Sequence, residues 1–203
     1  MNILQLDAGL FAEQSVTRQL TANIVANLQR RHPDAKVVQR DLIAQAPEHL
    51  SGEMLMAAGM DAEQRSEAQQ QALALTEQLL EELFAADIIV VGAPMYNFTI
   101  PTQLKAWFDR VLQAGTTFKY TEQGPVGLLR NKKVIVASGR GGIYSEGPAA
   151  ALDHQESYVK AAFNFIGLDD IEIIRAEGVN LSPENKERAL ASAKAEIEQS
   201  LTA

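Results

Sequence analysis

Three short segments of this chain carry residues whose types and spacing suit the binding of a charged, flat ligand. In the first, Gly9 precedes Ser15 and Thr17, which lie just ahead of and inside the first turn of a predicted helix. Free backbone N–H groups at a helix start, with two hydroxyls beside them, can hold a monophosphate. The alternative is that Ser15 only caps the helix. The segment has neither G-x-G-x-x-G nor G-x-x-x-x-G-K-[ST], so neither phosphate-binding motif is indicated.

The second segment lies between Pro94 and Pro101, two prolines that restrict the backbone at its ends. It presents a thioether, two aromatic rings and an amide in succession: Met95, Tyr96, Asn97 and Phe98. Apolar groups of this kind can line the plane of a heterocycle while amide and backbone groups bond its edge. A surface turn with incidental aromatics is the alternative. Six of the twelve aromatic residues fall between positions 96 and 120, and this clustering favours a binding role.

The third segment packs three glycines around one arginine, in the order Gly139, Arg140, Gly141 and Gly142. Glycines allow the backbone to approach a ligand closely, and the Arg140 guanidinium would offset negative charge on a reduced ring. The alternative is a glycine turn with a solvated arginine. Taken together, the three segments predict a phosphate pocket beside a planar ring pocket, which is the shape of a flavin mononucleotide (FMN) site.

The composition excludes several other kinds of chemistry. The chain has no cysteine, which excludes disulfides, thiol nucleophiles, iron–sulfur clusters and thiolate zinc sites. Its three histidines are scattered, so no histidine-rich metal centre is expected. A formal net charge of −8 argues against nucleic acid or an anionic membrane surface as a partner. An enzyme so poor in reactive side chains is expected to take its chemistry from a cofactor.

Length and targeting signals predict one globular domain over residues 1–203 in the cytoplasm. The N-terminal residues lack the basic and long apolar regions of a signal peptide. The most apolar stretch, Ile88 to Val91 with its flanks, is far shorter than the roughly 20 residues of a membrane-spanning helix. We therefore expect no membrane partner.

Apolar periodicity predicts strands that alternate with helices along the chain. Five strands are expected near residues 3–7, 36–39, 87–92, 134–137 and 171–174, and five helices near 15–31, 68–84, 102–113, 150–165 and 183–201. This alternation is typical of an α/β fold with a doubly wound parallel sheet that carries helices on both faces. Ligands of such sheets bind beyond the carboxyl ends of the strands. The three segments follow the first, third and fourth predicted strands.

The chain resembles the bacterial FMN-dependent NAD(P)H azoreductases, or NADH:quinone oxidoreductases, from Ile3 to the last helix. Four stretches carry the resemblance: Ala93-Pro94-Met95-Tyr96-Asn97-Phe98, Pro101-Thr102-Gln103-Leu104-Lys105, Thr117-Phe118-Lys119-Tyr120-Thr121 and Gly139-Arg140-Gly141-Gly142. The resemblance implies a flavodoxin-like sheet of strand order 2-1-3-4-5, non-covalent FMN, and a homodimer with an active site at each subunit junction. It also implies transfer of a hydride from NADH or NADPH to flavin N5, followed by two-electron transfer to a quinone or azo compound in a ping-pong mechanism.

The resemblance also assigns residues to the parts of the cofactor. Phosphate would be held by Ser15, Val16 and Thr17, the isoalloxazine by the stretch from Met95 to Phe98, and its other edge by Gly139 to Gly142. Tyr120 would lie near the ring, contributed across the dimer, and Asn97 or Tyr120 would position the acceptor. No general acid or base is assigned, because the flavin supplies the redox chemistry.

The first loop departs from the family pattern. Gly9 stands where members usually carry serine, and Asp7 and Glu13 are acidic neighbours. The missing hydroxyl removes a phosphate contact of about 1–2 kcal/mol, and the carboxylates would repel phosphate unless they point away. We therefore expect weaker binding of FMN.

Three alternatives compete with the oxidoreductase. A flavodoxin-type electron carrier shares the fold and the acidity but needs no substrate pocket. A receiver-type signalling domain would need an aspartate at the end of the third strand, where this chain has Gly92-Ala93-Pro94. The third is a flavin-binding module that only recruits a partner.

Residues 42–66 are longer than a strand-to-helix connection requires. They contain Met54, Met56 and Met60, which would form a pliable lid over varied aromatic acceptors. A satellite helix packed on the partner or on the core is the alternative.

Overall fold

The computed structural model describes residues 1–200. Its strands are β1 (Asn2–Asp7), β2 (Lys36–Asp41), β3 (Ile88–Pro94), β4 (Phe118–Thr121), β5 (Gly124–Gly127), β6 (Lys133–Gly139) and β7 (Ile171–Ala176). Five of them form one sheet in the order β2-β1-β3-β6-β7, and every neighbouring pair in it is parallel. The order 2-1-3-4-5 expected for the five core strands is therefore confirmed.

Within the described residues, six α-helices accompany the sheet: α1 (Val16–Arg31), α2 (Gly52–Ala58), α3 (Glu67–Ala85), α4 (Thr102–Val111), α5 (Glu156–Phe165) and α6 (Pro183–Ser200). Ser15 caps α1 and Ser66 forms a capping box with Gln69 at the start of α3. These caps explain why the helices begin where the polar-to-apolar pattern of the sequence changes.

The sheet separates two hydrophobic cores, as helices on both faces require. Along β3, Ile89 and Val91 face the core formed with α3, α4 and α5, whereas Val90 faces the core formed with α1 and α6. Successive strand side chains point to opposite faces, so a central strand buried on both faces is apolar throughout. This burial explains why every residue from Ile88 to Val91 is apolar.

The aromatic clustering between positions 96 and 120 has a different cause from the one expected. Trp107 and Phe108 on α4 are fully buried, and Phe118 is 7% exposed. Phe108 packs edge-to-face on Phe163, with ring centroids 5.1 Å apart. Half of the aromatic cluster therefore belongs to the core, and the prediction that the clustering reports a binding site is wrong for these three residues.

The helix expected over residues 150–165 begins later. Residues Pro148–Leu152 form a 3-10 turn, and α5 begins at Glu156. One Asp153 carboxylate oxygen accepts hydrogen bonds from the backbone N–H groups of Gln155 and Glu156, at 3.0 and 3.2 Å. This side chain satisfies N–H groups that a continuous helix would have bonded to its own carbonyls.

Two elements lie outside the five strands and five helices predicted from the periodicity, although a satellite helix was one of the alternatives for residues 42–66. The connection after β2 contains α2, which packs on α3. The antiparallel hairpin of β4 and β5 pairs with no strand of the main sheet. The hairpin is fastened at its base, where the Leu129 N–H donates to Ile166 O at 3.0 Å and Gly127 packs against the backbone of Gly167.

Among residues 1–200, no helix is long and apolar enough to cross a membrane. The same residues contain no group of three or more histidine, aspartate or glutamate side chains placed to bind a metal ion.

Candidate functional site

A cleft of about 250 Å³ opens at the carboxyl edge of the sheet. The segments that follow β1, β3, β6 and β7 line it: Phe11, Gln14, Ser15, Val16, Thr17, Pro94, Met95, Tyr96, Gly139, Arg140, Gly141, Val179, Asn180 and Lys186. Because all four strands are parallel, their carboxyl ends meet at one edge, where ligands of such sheets bind. The cleft therefore joins all three segments singled out from the sequence.

One end of the cleft is polar and lies at the start of α1. The hydroxyl oxygens of Ser15 and Thr17 are 3.1 Å apart, and both residues are buried. The Ser15 hydroxyl also accepts from the Arg18 N–H at 3.4 Å, so the residue is an N-cap as the alternative expected. This bond is long, and the N–H groups of Val16 and Thr17 lie in the first turn, where no intrahelical acceptor exists. Capping and anion binding are compatible here.

The Gly9 backbone lies very close to the Ser15 side chain. A Cβ built on Gly9 would lie 1.9 Å from the Ser15 Oγ, well inside van der Waals contact. A serine at position 9 would force Ser15 out of its present rotamer. The glycine is thus matched to the Ser15 hydroxyl that the cleft contains, although Gly9 itself does not line the cleft.

The two acidic neighbours do not point into the cleft. The Asp7 carboxylate is completely buried and accepts hydrogen bonds from Gln5, Thr21 and Gln39 at 2.9, 2.6 and 2.9 Å. The Glu13 side chain is 91% exposed and lies 3.6 Å from the guanidinium of Arg18. The structure thus removes the reason to expect that these two carboxylates repel a bound phosphate.

The loop after β3 makes a tight turn with unusual backbone geometry. Tyr96 and Thr99 exchange backbone hydrogen bonds of 2.9 and 3.2 Å, and the two residues between them, Asn97 and Phe98, have φ angles of 50° and 73°. Two consecutive positive φ angles are those of a two-residue type I′ turn, in which asparagine is favoured and phenylalanine is strained. The turn holds Met95 and Tyr96 in the cleft wall and projects the two turn residues beyond it.

The Phe98 ring is 44% exposed and meets Tyr144 edge-to-face, with centroids 6.3 Å apart. A Cβ on Gly142 would lie 3.1 Å from the Tyr144 ring. Phe98 and Gly142, from loops after different strands, therefore meet around Tyr144. Asn97, Phe98 and Gly142 do not line the cleft themselves; Asn97 and Gly142 directly follow the cleft residues Tyr96 and Gly141, and Phe98 lies one position further along the turn.

The Arg140 guanidinium is turned into the protein and not toward a ligand. Its side chain is fully buried, with nitrogens 2.8 Å from Asp153, 2.6 Å from Glu156 and 2.9 Å from Glu177. Its Nε donates to the Gln155 side-chain oxygen at 2.9 Å. The expectation that Arg140 offers a free cation to a reduced ring is therefore wrong, because three internal carboxylates already neutralise it.

Glu177 extends this network to the glycine loop. It accepts from the Arg140 guanidinium, from the backbone N–H groups of Tyr144 and Ser145, and from the Ser145 hydroxyl. Burial alone would raise the pKa of Glu177, but these hydrogen bonds outweigh it and hold the pKa below the usual glutamate value. The stabilisation by this carboxylate is thus complete at neutral pH and is lost as the pH falls through its lowered pKa.

The structure brings most of the predicted site residues together. Those that line the cleft are Ser15, Val16, Thr17, Pro94, Met95, Tyr96, Gly139, Arg140 and Gly141. Tyr120 lies apart from the cleft of its own chain, on β4, and is 73% exposed. Met54, Met56 and Met60 are also outside the cleft, and α2 packs on α3 as the satellite-helix alternative expected.

Five cleft residues were missed by sequence reasoning: Phe11, Gln14, Val179, Asn180 and Lys186. Val179 and Asn180 follow β7, and the rule that ligands bind at strand carboxyl ends applies to this strand as well. Phe11 and Gln14 lie in the first loop, where the hydroxyl residues Ser15 and Thr17 gave the stronger indication of a phosphate site. Lys186 is in α6, where no local pattern separates it from other surface lysines.

Comparison with known proteins bears on what this cleft does. Residues 1–201 match a protein family described by its flavodoxin-like fold. An FMN-dependent NADH:quinone oxidoreductase of Azospirillum brasilense is 52% identical, over 98% of this chain and 96% of its own. FMN-dependent NADH:quinone oxidoreductase 1 of Idiomarina loihiensis is 54% identical, over 98% and 99%. The chain belongs to the FMN-dependent NADH:quinone oxidoreductase family.

Solved structures of the same family superpose on nearly the whole chain. The azoreductase from Bacillus anthracis strain Sterne has a TM-score of 0.88 and 33% identity, and the match covers 98% of this chain and 97% of that one. An FMN-dependent NADH-azoreductase from Bacillus anthracis strain Ames Ancestor, solved in complex with FMN, also has a TM-score of 0.88, at 26% identity over 99% and 97%. The resemblance stated from the motifs is confirmed.

The Arg140 network predicts unequal effects of two arginine substitutions. Arg140→Met leaves three largely buried carboxylates, with side chains 8–17% exposed, without their shared cation. It should lower the free energy of unfolding by about 3–5 kcal/mol. Arg175 pairs with the same Glu156, but its side chain is 42% exposed. Arg175→Met is the matched control and should cost at most about 1 kcal/mol. Urea unfolding followed by circular dichroism measures both, and equal losses would contradict the assignment.

Proposed function

We propose that this protein is an FMN-dependent oxidoreductase that transfers two electrons from NADH or NADPH to quinones and aromatic azo compounds. The observation that carries the proposal is the cleft at the carboxyl edge of the sheet, which is polar at the start of α1 and lined by Met95 and Tyr96 from the loop after β3. The printed names of relatives that match nearly all of this chain support the same activity.

The residues present fit the cofactor at both of its ends. For a phosphate, the Ser15 and Thr17 hydroxyls and the first-turn N–H groups of α1 supply donors without a neighbouring free carboxylate. For the ring, Pro94, Met95 and Tyr96 supply an apolar wall. A Cβ on Gly139 would lie 2.7 Å from the Thr17 Cγ2, so the close approach of β6 to α1 beside this wall requires glycine.

The chain's own residues hold and orient the reactants. When bound, FMN supplies the two-electron chemistry: it accepts hydride from the reduced nicotinamide and delivers both electrons to the acceptor. The backbone N–H of Met95 donates to Gly139 O at 2.8 Å, which locks the loop after β3 to the loop after β6. The type I′ turn then presents the Asn97 amide at a fixed place, where we propose that it bonds the ring edge or positions the acceptor.

We also propose that the active form is a homodimer in which Tyr120 of one subunit completes the site of the other. Tyr120 is 73% exposed, and its ring packs edge-to-face on the Phe118 ring of its own chain, with centroids 5.5 Å apart. Phe11 in the cleft wall is 66% exposed as well. We propose that the partner subunit covers both rings, with its own Tyr120 placed against the Phe11 side of the cleft.

We propose a ping-pong order, in which both reactants use this cleft in turn. In that order the oxidised nicotinamide would leave the cleft before the acceptor enters it. A flavodoxin-type carrier is the second function considered, but the names of the relatives favour catalysis with a small acceptor. The cytoplasm remains the expected location for an enzyme that uses NADH or NADPH.

The proposed activity predicts turnover with both classes of acceptor. The purified chain with saturating FMN should oxidise NADH in the presence of menadione and of methyl red, followed as the loss of NADH absorbance. Initial rates at several fixed acceptor concentrations should give parallel double-reciprocal lines. Protein without FMN is the control. Absence of turnover with both acceptors would refute the enzyme, and intersecting lines would refute only the ping-pong order.

Substitution of Asn97 separates its amide from its backbone role. Asn97→Gly keeps the positive φ without strain but removes the amide, whereas Asn97→Ala removes the amide and also costs roughly 1 kcal/mol of stability. If the amide bonds the ring or the acceptor, both variants should weaken FMN binding or slow flavin reduction by about tenfold. Fluorescence titration and stopped-flow reduction by NADH measure these quantities.

The two Asn97 variants also distinguish the alternatives. An unchanged FMN affinity and reduction rate in Asn97→Gly would show that the amide has no role. A defect confined to Asn97→Ala would assign the effect to the turn backbone.

A further inference from the structure

Lys186 is the second cationic side chain in the wall of the cleft, and it differs from the first. Arg140 is fully neutralised by internal carboxylates. Within residues 1–200, Lys186 forms no ion pair, and it is half-buried. The residues lining the cleft include no aspartate or glutamate. The Lys186 ammonium is therefore the uncompensated positive charge of the cleft.

The topology places the start of α6, which carries Lys186, beside the phosphate end of the cleft. Helices α1 and α6 follow the parallel strands β1 and β7 and lie on the same face of the sheet, where Leu20 and Ile24 of α1 share a core with Ala193 and Ile197 of α6. Both helices therefore begin at the carboxyl edge, side by side. Lys186 lies in the first turns of α6 and lines the cleft together with the Ser15–Thr17 segment.

The local sequence of α6 offers no structural reason for a cation at this point. Lysine near a helix N-terminus opposes the helix dipole, which favours anions there. The backbone N–H of Lys186 continues the helix by donating to Ser182 O at 3.0 Å, so the backbone would be satisfied by any residue. A positive charge held against the dipole, in a cleft of a protein with net charge −8, points to an anionic ligand.

We propose that Lys186 is a specificity-determining residue that pairs with the phosphate of FMN and selects FMN over riboflavin. This inference rests on the proposed function, because it assumes that the cleft holds the flavin. In this arrangement the Ser15 and Thr17 hydroxyls and the α1 amides bond the phosphate from one side, and the ammonium faces it from α6. The lysine compensates for the phosphate contact that Gly9 does not provide.

The test compares two flavins that differ only in the phosphate. The full-length chain, freed of flavin, is titrated with FMN and with riboflavin, and quenching of flavin fluorescence gives each Kd. Lys186→Gln should raise the Kd for FMN by about 5–30-fold, the range for loss of a partly screened charge-assisted hydrogen bond. The Kd for riboflavin should stay within about twofold. Lys186→Arg should retain most of the FMN affinity.

A matched control removes the same charge elsewhere on the same helix. Lys194 is an exposed lysine of α6 outside the cleft, and Lys194→Gln should leave both Kd values unchanged. The loss in Lys186→Gln should also shrink as salt is raised from 50 to 500 mM, roughly as expected for a screened ion pair. Circular dichroism checks that all variants are folded.

Each outcome has a distinct meaning. An equal loss for FMN and riboflavin, an unchanged Kd for FMN, or the same loss in Lys194→Gln would overturn the role of Lys186. Failure of the unaltered chain to bind either flavin would instead refute the proposed function, and with it this inference.

Discussion

The buried guanidinium of Arg140 is the interaction on which the geometry of the site depends. It contacts Asp153 before α5, Glu156 at the start of α5 and Glu177 after β7, while its own backbone directly follows β6. Gln155, bonded to the same guanidinium, reaches the carbonyl of Ala93 in β3. Segments that are distant in sequence are thereby held in one arrangement. Burial of so many charges is tolerated because each is paired and hydrogen-bonded.

The strained turn at Asn97 and Phe98 is possible because of this rigid frame. A non-glycine residue with positive φ costs of order 1 kcal/mol or more and persists only where surrounding contacts fix it. Here the Phe98 carbonyl accepts from the His154 N–H at 3.0 Å, one residue from Asp153. The segment around Asp153, which contacts Arg140, therefore also holds the turn. The same contacts stabilise the fold and fix the position of the turn residues.

Much of the fold and part of the site could be predicted from the sequence, for identifiable physical reasons. A run such as Ile88 to Val91 reports a strand buried on both faces, and the order of the five strands follows from the family pattern. Residues of the loops after β1, β3 and β6 were found because strand ends converge by topology alone. The direction in which a side chain points could not be predicted from local sequence patterns. Arg140 turns inward because its partners lie in later segments, 13 to 37 residues away.

The same limit explains the residues that were missed or misread. Trp107 and Phe108 look like ligand-binding aromatics in sequence but pack into the core, because α4 lies on the sheet. Lys186 enters the cleft only through the packing of α6 on α1. Asp7 looks like a repulsive charge but is bonded by three polar side chains from β1, α1 and β2.

The separate attachment of the β4–β5 hairpin has a consequence for redesign. Its base is fixed by Phe118 stacked near Phe165 and by the Leu129 hydrogen bond to Ile166, whereas its tip makes no ladder with the main sheet. Substitutions in residues 119–126 should therefore leave the packing around the cleft of the same chain unchanged. They would instead alter the surface that carries Tyr120, so acceptor range and scaffold stability can be varied separately.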